Sequence, residues 1–524
     1  MRLDRRFMLT GASAYLLLPA TFARALPVGQ NAWLDVRTFG AKGDGTTIDS
    51  PAIDKAIAEA AKKGGGVVYF PQGTYASYTI HLQSNVTLYL DRGATLLAAS
   101  VPLEGTQNGY DQAEPQDPAI NAFQDYGHNH WKNSLLYGEN LHDIAILGEG
   151  LIWGKGLSNG RRDPDLPKAE LPGVGNKTIA LKNCRNVQLR DFKILKGGHF
   201  ALLATGVDNL VIDNLLVDTD RDGFDIDCCK NVRVSNCTVN SPFDDGICPK
   251  SSFALGYARA TENVTISDCY VSGSYIVGSV LDGTFKLATE RGQSFKTGRI
   301  KCGTESNGGF KNITITNCVF DQCQGLALET VDGAILEDIA ISNITMRGLS
   351  SAPLFLRLGR RMRGPAGVPI GTLKRVVIDN ITSSGSSKLP SIIAGVEGHP
   401  VEDIKISNVY FQQVGGGDAA AAAIDPPAKE DAYPEPGMFG MLPASGFFVR
   451  HARNIEMSHV EIVTVAADVR PAFWMQDVDG FDASFLKLPS GAPNFALDAV
   501  SHFRTFGSIA VPDKRIDAIA HTSF

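Results

Sequence analysis

The chain has 524 residues, 44% of them hydrophobic, so it can bury a large core, and its formal net charge is −7. No run of basic residues offers the electrostatic footprint of a nucleic-acid partner, and no apolar stretch after the N-terminus is long enough to span a membrane. Length alone suggests several domains, an expectation that elongated repeat folds break.

Residues 1–25 read as an export signal. Arg5-Arg6 precedes the apolar run Phe7–Leu18, and Ala23-Arg24-Ala25 offers a cleavage site. Paired arginines followed by Phe-Met-Leu are similar to a twin-arginine signal, so the mature protein is expected to be exported, periplasmic or secreted. Nine cysteines, an odd number without a CxxC, exclude a fully paired disulfide framework and argue against a zinc site. Cys184, Cys237 and Cys318 each follow an Asn where a small buried side chain fits, so the cysteines read as core thiols.

A short helix is predicted after the turn-rich segment 35–49. Ser50 suits an N-cap and Pro51 the first helical position. Ile53, Ala56, Ile57 and Ala60 form an apolar stripe, and Gly64-Gly65-Gly66 ends it. Such a helix can plug the open end of a β-solenoid.

From Asn85 onward one pattern recurs: Asn or Asp, then alternating β-branched or Leu residues. Its starts are Asn85, Asp143, Asn186, Asn209, Asn231, Asn263, Asn312, Asp338, Asp403 and Asn454, with shortest gaps of 22, 23 and 26 residues. Short alternating strands at this period predict an all-β fold, a right-handed single-stranded parallel β-helix over residues 26–480. A β-sandwich would not keep a fixed Asn register. The turn Asn and Asp side chains are expected to bond backbone groups at the corners. Insertions at 103–133, 157–176, 281–308, 359–372 and 414–446 interrupt the rhythm; long loops on a regular scaffold commonly wall a cleft. For 414–446 a flexible surface excursion is an equal alternative. Residues 481–524 read as a tail packed on the helix, its structure open.

The chemistry is expected where two copies of the pattern carry acids. Asp222 lies 13 residues after Asn209, Asp244 lies 13 after Asn231, and His199 lies 13 after Asn186. One residue per coil would stack these in a column at the roughly 4.8 Å spacing of neighbouring strands. Carboxylates that close cannot both ionise easily, so at least one pKa should rise. Together with the adjacent Asp245 they read as catalytic rather than as turn caps. In 298–313, Arg299 and Lys301 alternate across Ile300, so on a strand they share a face and form a local cationic spot for an anionic ligand.

Over nearly its whole mature length the chain resembles glycoside hydrolase family 28, the polygalacturonase-type enzymes. The family's N-T-D-G-I-D motif is present, altered, as Asp220-Arg221-Asp222-Gly223-Phe224-Asp225; its D-D motif as Asp244-Asp245; its R-I-K motif intact as Arg299-Ile300-Lys301. The resemblance implies Asp244 as general acid, Asp222 and Asp245 as the pair that positions and deprotonates water, and Arg299 and Lys301 as holders of the substrate carboxylate. It implies inversion at the anomeric centre, with no cofactor and no metal. Asp225 is expected beside the site, and His199 to contact sugar, tune Asp222 or serve structure alone. Glu305 and Glu329 are weaker candidates.

One departure stands out: Gly273, in Ser272-Gly273-Ser274, occupies the place of the family's G-H-G histidine. With Ser279–Phe285 and 303–313, this looks more like the rhamnogalacturonan-directed branch. The expected partner is an acidic plant polysaccharide or oligosaccharide. A Ca²⁺-dependent polyuronide lyase on the same scaffold and a non-catalytic glycan-binding β-helix stay open as alternatives.

Overall fold

The computed structural model describes residues 33–160, 164–287, 296–385 and 387–524; the export-signal reading of 1–25 lies outside them. The described residues wind into a parallel β-helix. Its coils are in register: Val187, Leu210, Val232, Val264, Ile313, Ile339, Val376, Ile404 and Ile455 are successive Cα partners. All nine are buried, each contributing about 1.5–3 kcal/mol relative to exposure. The alternation seen in segments such as Asp208–Asp213 thus sets which side chains enter the core. Towards the C-terminal coils the stack becomes aromatic, with Phe447, Phe473 and Phe495 ring on ring at 5.3 and 5.0 Å.

All ten pattern starts hold left-handed backbone, φ between 53° and 65°, the conformation Asn and Asp tolerate best among non-glycine residues. Their side chains do not mainly bond the backbone, as the sequence suggested. They bond each other from coil to coil: Asn186 Nδ2 donates to Asp143 (2.9 Å), Asn209 to Asn186 (2.9 Å), Asn231 to Asn209 (3.1 Å), Asn263 to Asn231 (3.0 Å) and Asn312 to Asn263 (2.8 Å). A second ladder includes Asn343, which donates to Asn317 at 3.0 Å, and Asn380, which donates to Asn343 at 2.7 Å. Strand spacing places each amide one hydrogen bond from the next coil's oxygen. The coil beginning near Arg375 (φ 54°) uses Arg at this corner and so escaped the pattern.

Helix α1, Ser50–Lys62, buries Ile53, Ala56, Ile57 and Ala60 in the core, as its stripe predicts. Ser50 is not its N-cap. Asp49 holds that position, and its carboxylate turns back to accept from the Lys42 and Gly43 N–H groups (2.7 and 2.9 Å). Position 480 is no structural break: Phe473–Ser484 pairs parallel with Phe495–Phe506, and Lys514–Ser523 then runs antiparallel against that last coil. All nine cysteines are buried and unpaired, as expected of core thiols.

One sheet positions the acids. Its parallel strands are β1 (Ile80–His81), β2 (Leu136–Glu139), β3 (Lys177–Lys182), β4 (Phe200–Thr205), β5 (Asp222–Asp227) and β6 (Ile247–Lys250). It continues through the Ile247–Ile300 bridge towards β7 (Lys301–Cys302) and β8 (Leu326–Thr330).

Candidate active site

The acidic column exists, but its members differ from those expected. Phe200, not His199, is the partner of Asp222. Between β5 and β6 the offset is 23 residues (Phe224 opposite Ile247), which brings Asp222 level with Asp245, not Asp244. The Gly223 N–H accordingly donates to the Asp245 carbonyl at 3.0 Å. Lys177 faces Phe200 on the other side, so the rungs read Lys177, Phe200, Asp222, Asp245. The turn into β6 is one residue longer than the turn into β5, and a slip of one residue changes which side chain lies in the column.

Facing carboxyl oxygens of Asp222 and Asp245 lie within 4.8 Å of each other. Burial, then Asp225 and Asp244, push the Asp222 carboxyl well above the usual carboxylate range. Burial would raise Asp245 too, but Lys301 (2.5 Å) and Arg299 (2.8 Å) outweigh it and hold Asp245 well below that range. Of the pair, Asp222 is the member whose surroundings favour the protonated form, and its buried Oδ1 has no hydrogen-bond partner among the described residues. Asp244 stands apart. Its carboxylate is 26% exposed and is gripped at Oδ2 by Arg221 Nε (2.8 Å) and Nη2 (2.7 Å). That guanidinium is supplied by one of the three altered residues of the first motif.

Arg299 and Lys301 do share a face, with Ile300 turned into the core. Both are buried against protein carboxylates. Besides Asp245, Arg299 Nη2 donates to Glu435 (2.6 Å) and lies 3.9 Å from Glu329. Lys301 Nζ also meets Thr304 Oγ1 (3.3 Å), which in turn meets the Tyr433 hydroxyl (3.0 Å). Burial lifts the Glu329 carboxyl to about 7.

Asp225 is fully buried, with Lys250 Nζ at 3.5 Å and His128 Nε2 at 3.4 Å. Lys250 also reaches His128 Nε2 (2.9 Å) and Glu305 (3.5 Å). Glu305 belongs to this cluster; against burial, Lys250, His128 and Arg361 draw its carboxyl well below the ordinary range. His199 is buried against Phe200 (ring centroids 4.4 Å), and burial pushes its imidazole well below the usual value. The Cα atoms of Gly127 and Gly160 close over it, since a Cβ on either would lie 2.6 Å from its Nδ1. His128, Lys250, Arg221, Lys177 and Glu435 were missed by sequence reasoning. Lys250 and Arg221 carried a usable signal, being within a few residues of the motif acids. His128 and Glu435 lie in insertions without periodicity.

Three sets of donors could hold an ion: Asp125, His128 and Glu305; His128, Asp222 and Asp225; Asp222, Asp245 and Cys248. Lys250 presses a fixed cation on the first two through His128 and Asp225, and Arg299 and Lys301 do so on the third.

The insertions wall the site. Segment 103–133 supplies His128, and its Asp125 reaches Arg363 of 359–372 (3.4 Å). Asn159 of 157–176 donates to Asp220 (3.1 Å). Segment 414–446 is anchored, not free: Arg357 donates to the Lys429 carbonyl (3.0 Å) and Arg450 to that of Pro426 (3.0 Å), which sets Tyr433 and Glu435 over Arg299 and Lys301. At Gly273 the 297–298 backbone takes the space of a side chain; a Cβ would meet Thr297 at 2.9 Å.

Residues 33–114 match the family described as rhamnogalacturonase A/epimerase, pectate lyase-like, and residues 170–293 match the right-handed β-helix region. A "Probable polygalacturonase" of Vitis vinifera is 24% identical over 334 residues, 60% of each chain. "Plasmin and fibronectin-binding protein A" of Streptococcus pneumoniae is 30% identical over 308 residues, 55% of this chain and 36% of that one. A solved family 28 exopolygalacturonase of Yersinia enterocolitica superposes with TM-score 0.59 at 18% identity, covering 88% of this chain and 78% of that one. The chain thus spans 60% or less of the length of these two sequence relatives. The fold is the right-handed, pectate-lyase-like parallel β-helix. Within that class its similarity runs to a probable polygalacturonase in sequence and to a family 28 exopolygalacturonase in fold.

Proposed function

We propose that this protein is an exported, inverting glycoside hydrolase that cleaves α-galacturonosyl linkages in pectin, rhamnogalacturonan in preference to homogalacturonan. The observation that carries the reading is the close pair of buried carboxyls, Asp222 and Asp245, next to a third, accessible carboxylate. Oxygens within 4.8 Å are too close to stand on opposite sides of a scissile bond, where inverting acids and bases lie roughly 6.5–9.5 Å apart. The pair therefore acts together on one water. Asp222 orients it and ionised Asp245 takes its proton as the oxygen bonds to the anomeric carbon. Once Arg221 releases it, the accessible Asp244 carboxylate takes a proton from solvent; as the glycosidic C–O bond breaks, the leaving oxygen takes that proton from Asp244. The polygalacturonase name of the grapevine relative supports the substrate class, and Gly273 in the place of the family histidine supports rhamnogalacturonan.

Incubation with homogalacturonan, rhamnogalacturonan and their oligomers tests this. The expected products are new reducing ends without unsaturated sugars, unaffected by chelator. Unsaturated ends that vanish with chelator would mark a lyase. Asp244→Asn is expected to lower kcat by about 10²–10⁴-fold, the usual worth of a general acid, with KM little changed. The similarity to the pneumococcal binding protein favours a second reading, a glycan- or protein-binding β-helix, under which Asp244→Asn leaves function untouched.

A further inference from the structure

The cationic spot has a full complement of the protein's own anions. Arg299 and Lys301 bring two positive charges, and Asp245 and Glu435 bring two negative ones at 2.5–2.8 Å. Glu329, the third carboxyl nearby, is kept largely neutral below about 7 by burial. A sugar carboxylate arriving here would add a third anion to a balanced buried cluster, and like charge in a low-dielectric site is strongly disfavoured. Of the carboxylates, Asp245 and Glu329 are buried on the scaffold, while the Glu435 side chain is 34% exposed and comes from the anchored insertion. Glu435 is the anion added to the scaffold.

Resting on the hydrolase reading, we infer that Glu435 is a specificity-determining residue: by occupying Arg299 it makes the Arg299–Lys301 position reject a uronate and accept a neutral sugar. Discrimination would come from repulsion built against the wrong ligand, not from added attraction to the right one.

The test compares the full-length protein with Glu435→Gln and Glu435→Asp, each checked for an unchanged circular dichroism spectrum. Removing the charge is expected to tighten calorimetric binding of trigalacturonate about tenfold and to lower KM for homogalacturonan oligomers similarly. On rhamnogalacturonan oligomers KM should not fall, so that preference for the uronate ligand over rhamnogalacturonan rises about tenfold, and Glu435→Asp should resemble the parent. Folded Glu435→Gln protein with unchanged, weaker or undetectable trigalacturonate binding would overturn the inference. Tighter binding in Glu435→Gln, with no turnover of any pectic substrate by the parent, would overturn the hydrolase reading and leave the charge assignment standing.

Discussion

At the scale of single residues, the opposite pKa displacements of two neighbouring acids follow from what lies beside each. Asp222 has burial and carboxylates around it, whereas Asp245 has Lys301 at 2.5 Å and Arg299 at 2.8 Å. Lys301→Met should therefore raise the Asp245 pKa. Because the proposed reaction needs Asp245 ionised, the acid limb of the kcat/KM–pH profile should move to higher pH; an unmoved limb would remove Asp245 from the proposed base role. Gly273 gives a second expectation. A Cβ added there would sit 2.9 Å from the Thr297 backbone, so Gly273→Ala should destabilise by roughly 1–3 kcal/mol, as overpacked sites do, and Gly273→His should not restore a family-type histidine. Urea unfolding of both variants checks this. Residue identities at the site were legible: Asp222, Asp244, Asp245, Arg299, Lys301, Asp225 and Glu305 do come together. Their pairing was not, because one extra residue in a turn shifts register, and a 13-residue count cannot see it.

At the scale of elements, insertions and cap carry what the repeat cannot. The α1 plug was readable from its stripe, since helical periodicity survives in sequence. The partners of segment 414–446 were not, because an anchored loop and a free one share the same Gly-, Ala- and Pro-rich composition. A further clasp ties α1 to the 103–133 insertion: His81 Nδ1 meets Asp54 (2.8 Å) and its Nε2 meets Asp111 (2.9 Å). Hydrogen bonds to Asp111 and Asp54 raise the His81 pKa to about 10. A histidine raised in the folded state stabilises it fully below the unfolded pKa of about 6.5. That contribution shrinks as pH rises and is gone above about 10. The melting temperature should therefore fall across this interval, and less steeply in His81→Gln. A parallel decline in both proteins would exclude the clasp.

At the scale of the whole molecule, the solenoid was the most legible feature, because the left-handed corner recurs from coil to coil and Asn or Asp fills it in ten of the recognised ones. The ladder those side chains build could not be read, since it depends on coils stacking directly over one another. Asn209 donates to Asn186 and accepts from Asn231. Asn209→Ala loses both bonds and keeps the unfavourable φ, so it should destabilise by about 1–3 kcal/mol. Asn209→Gly, which relieves the backbone, should lose less. Equal loss in both, measured by denaturant unfolding, would show that backbone relief contributes nothing.

The reversed strand Lys514–Ser523 lies along the final rung Phe495–Phe506. Without it, that rung would offer a row of free amides and carbonyls matched to any incoming strand. With Lys514, Arg515, Asp517 and His521 along it, this segment gives the rung a charged margin. Protein lacking residues 512–524 should keep its acidic cluster yet grow end to end into filaments, visible by light scattering and electron microscopy. A truncated protein that stays dispersed would mean the aromatic rung guards itself.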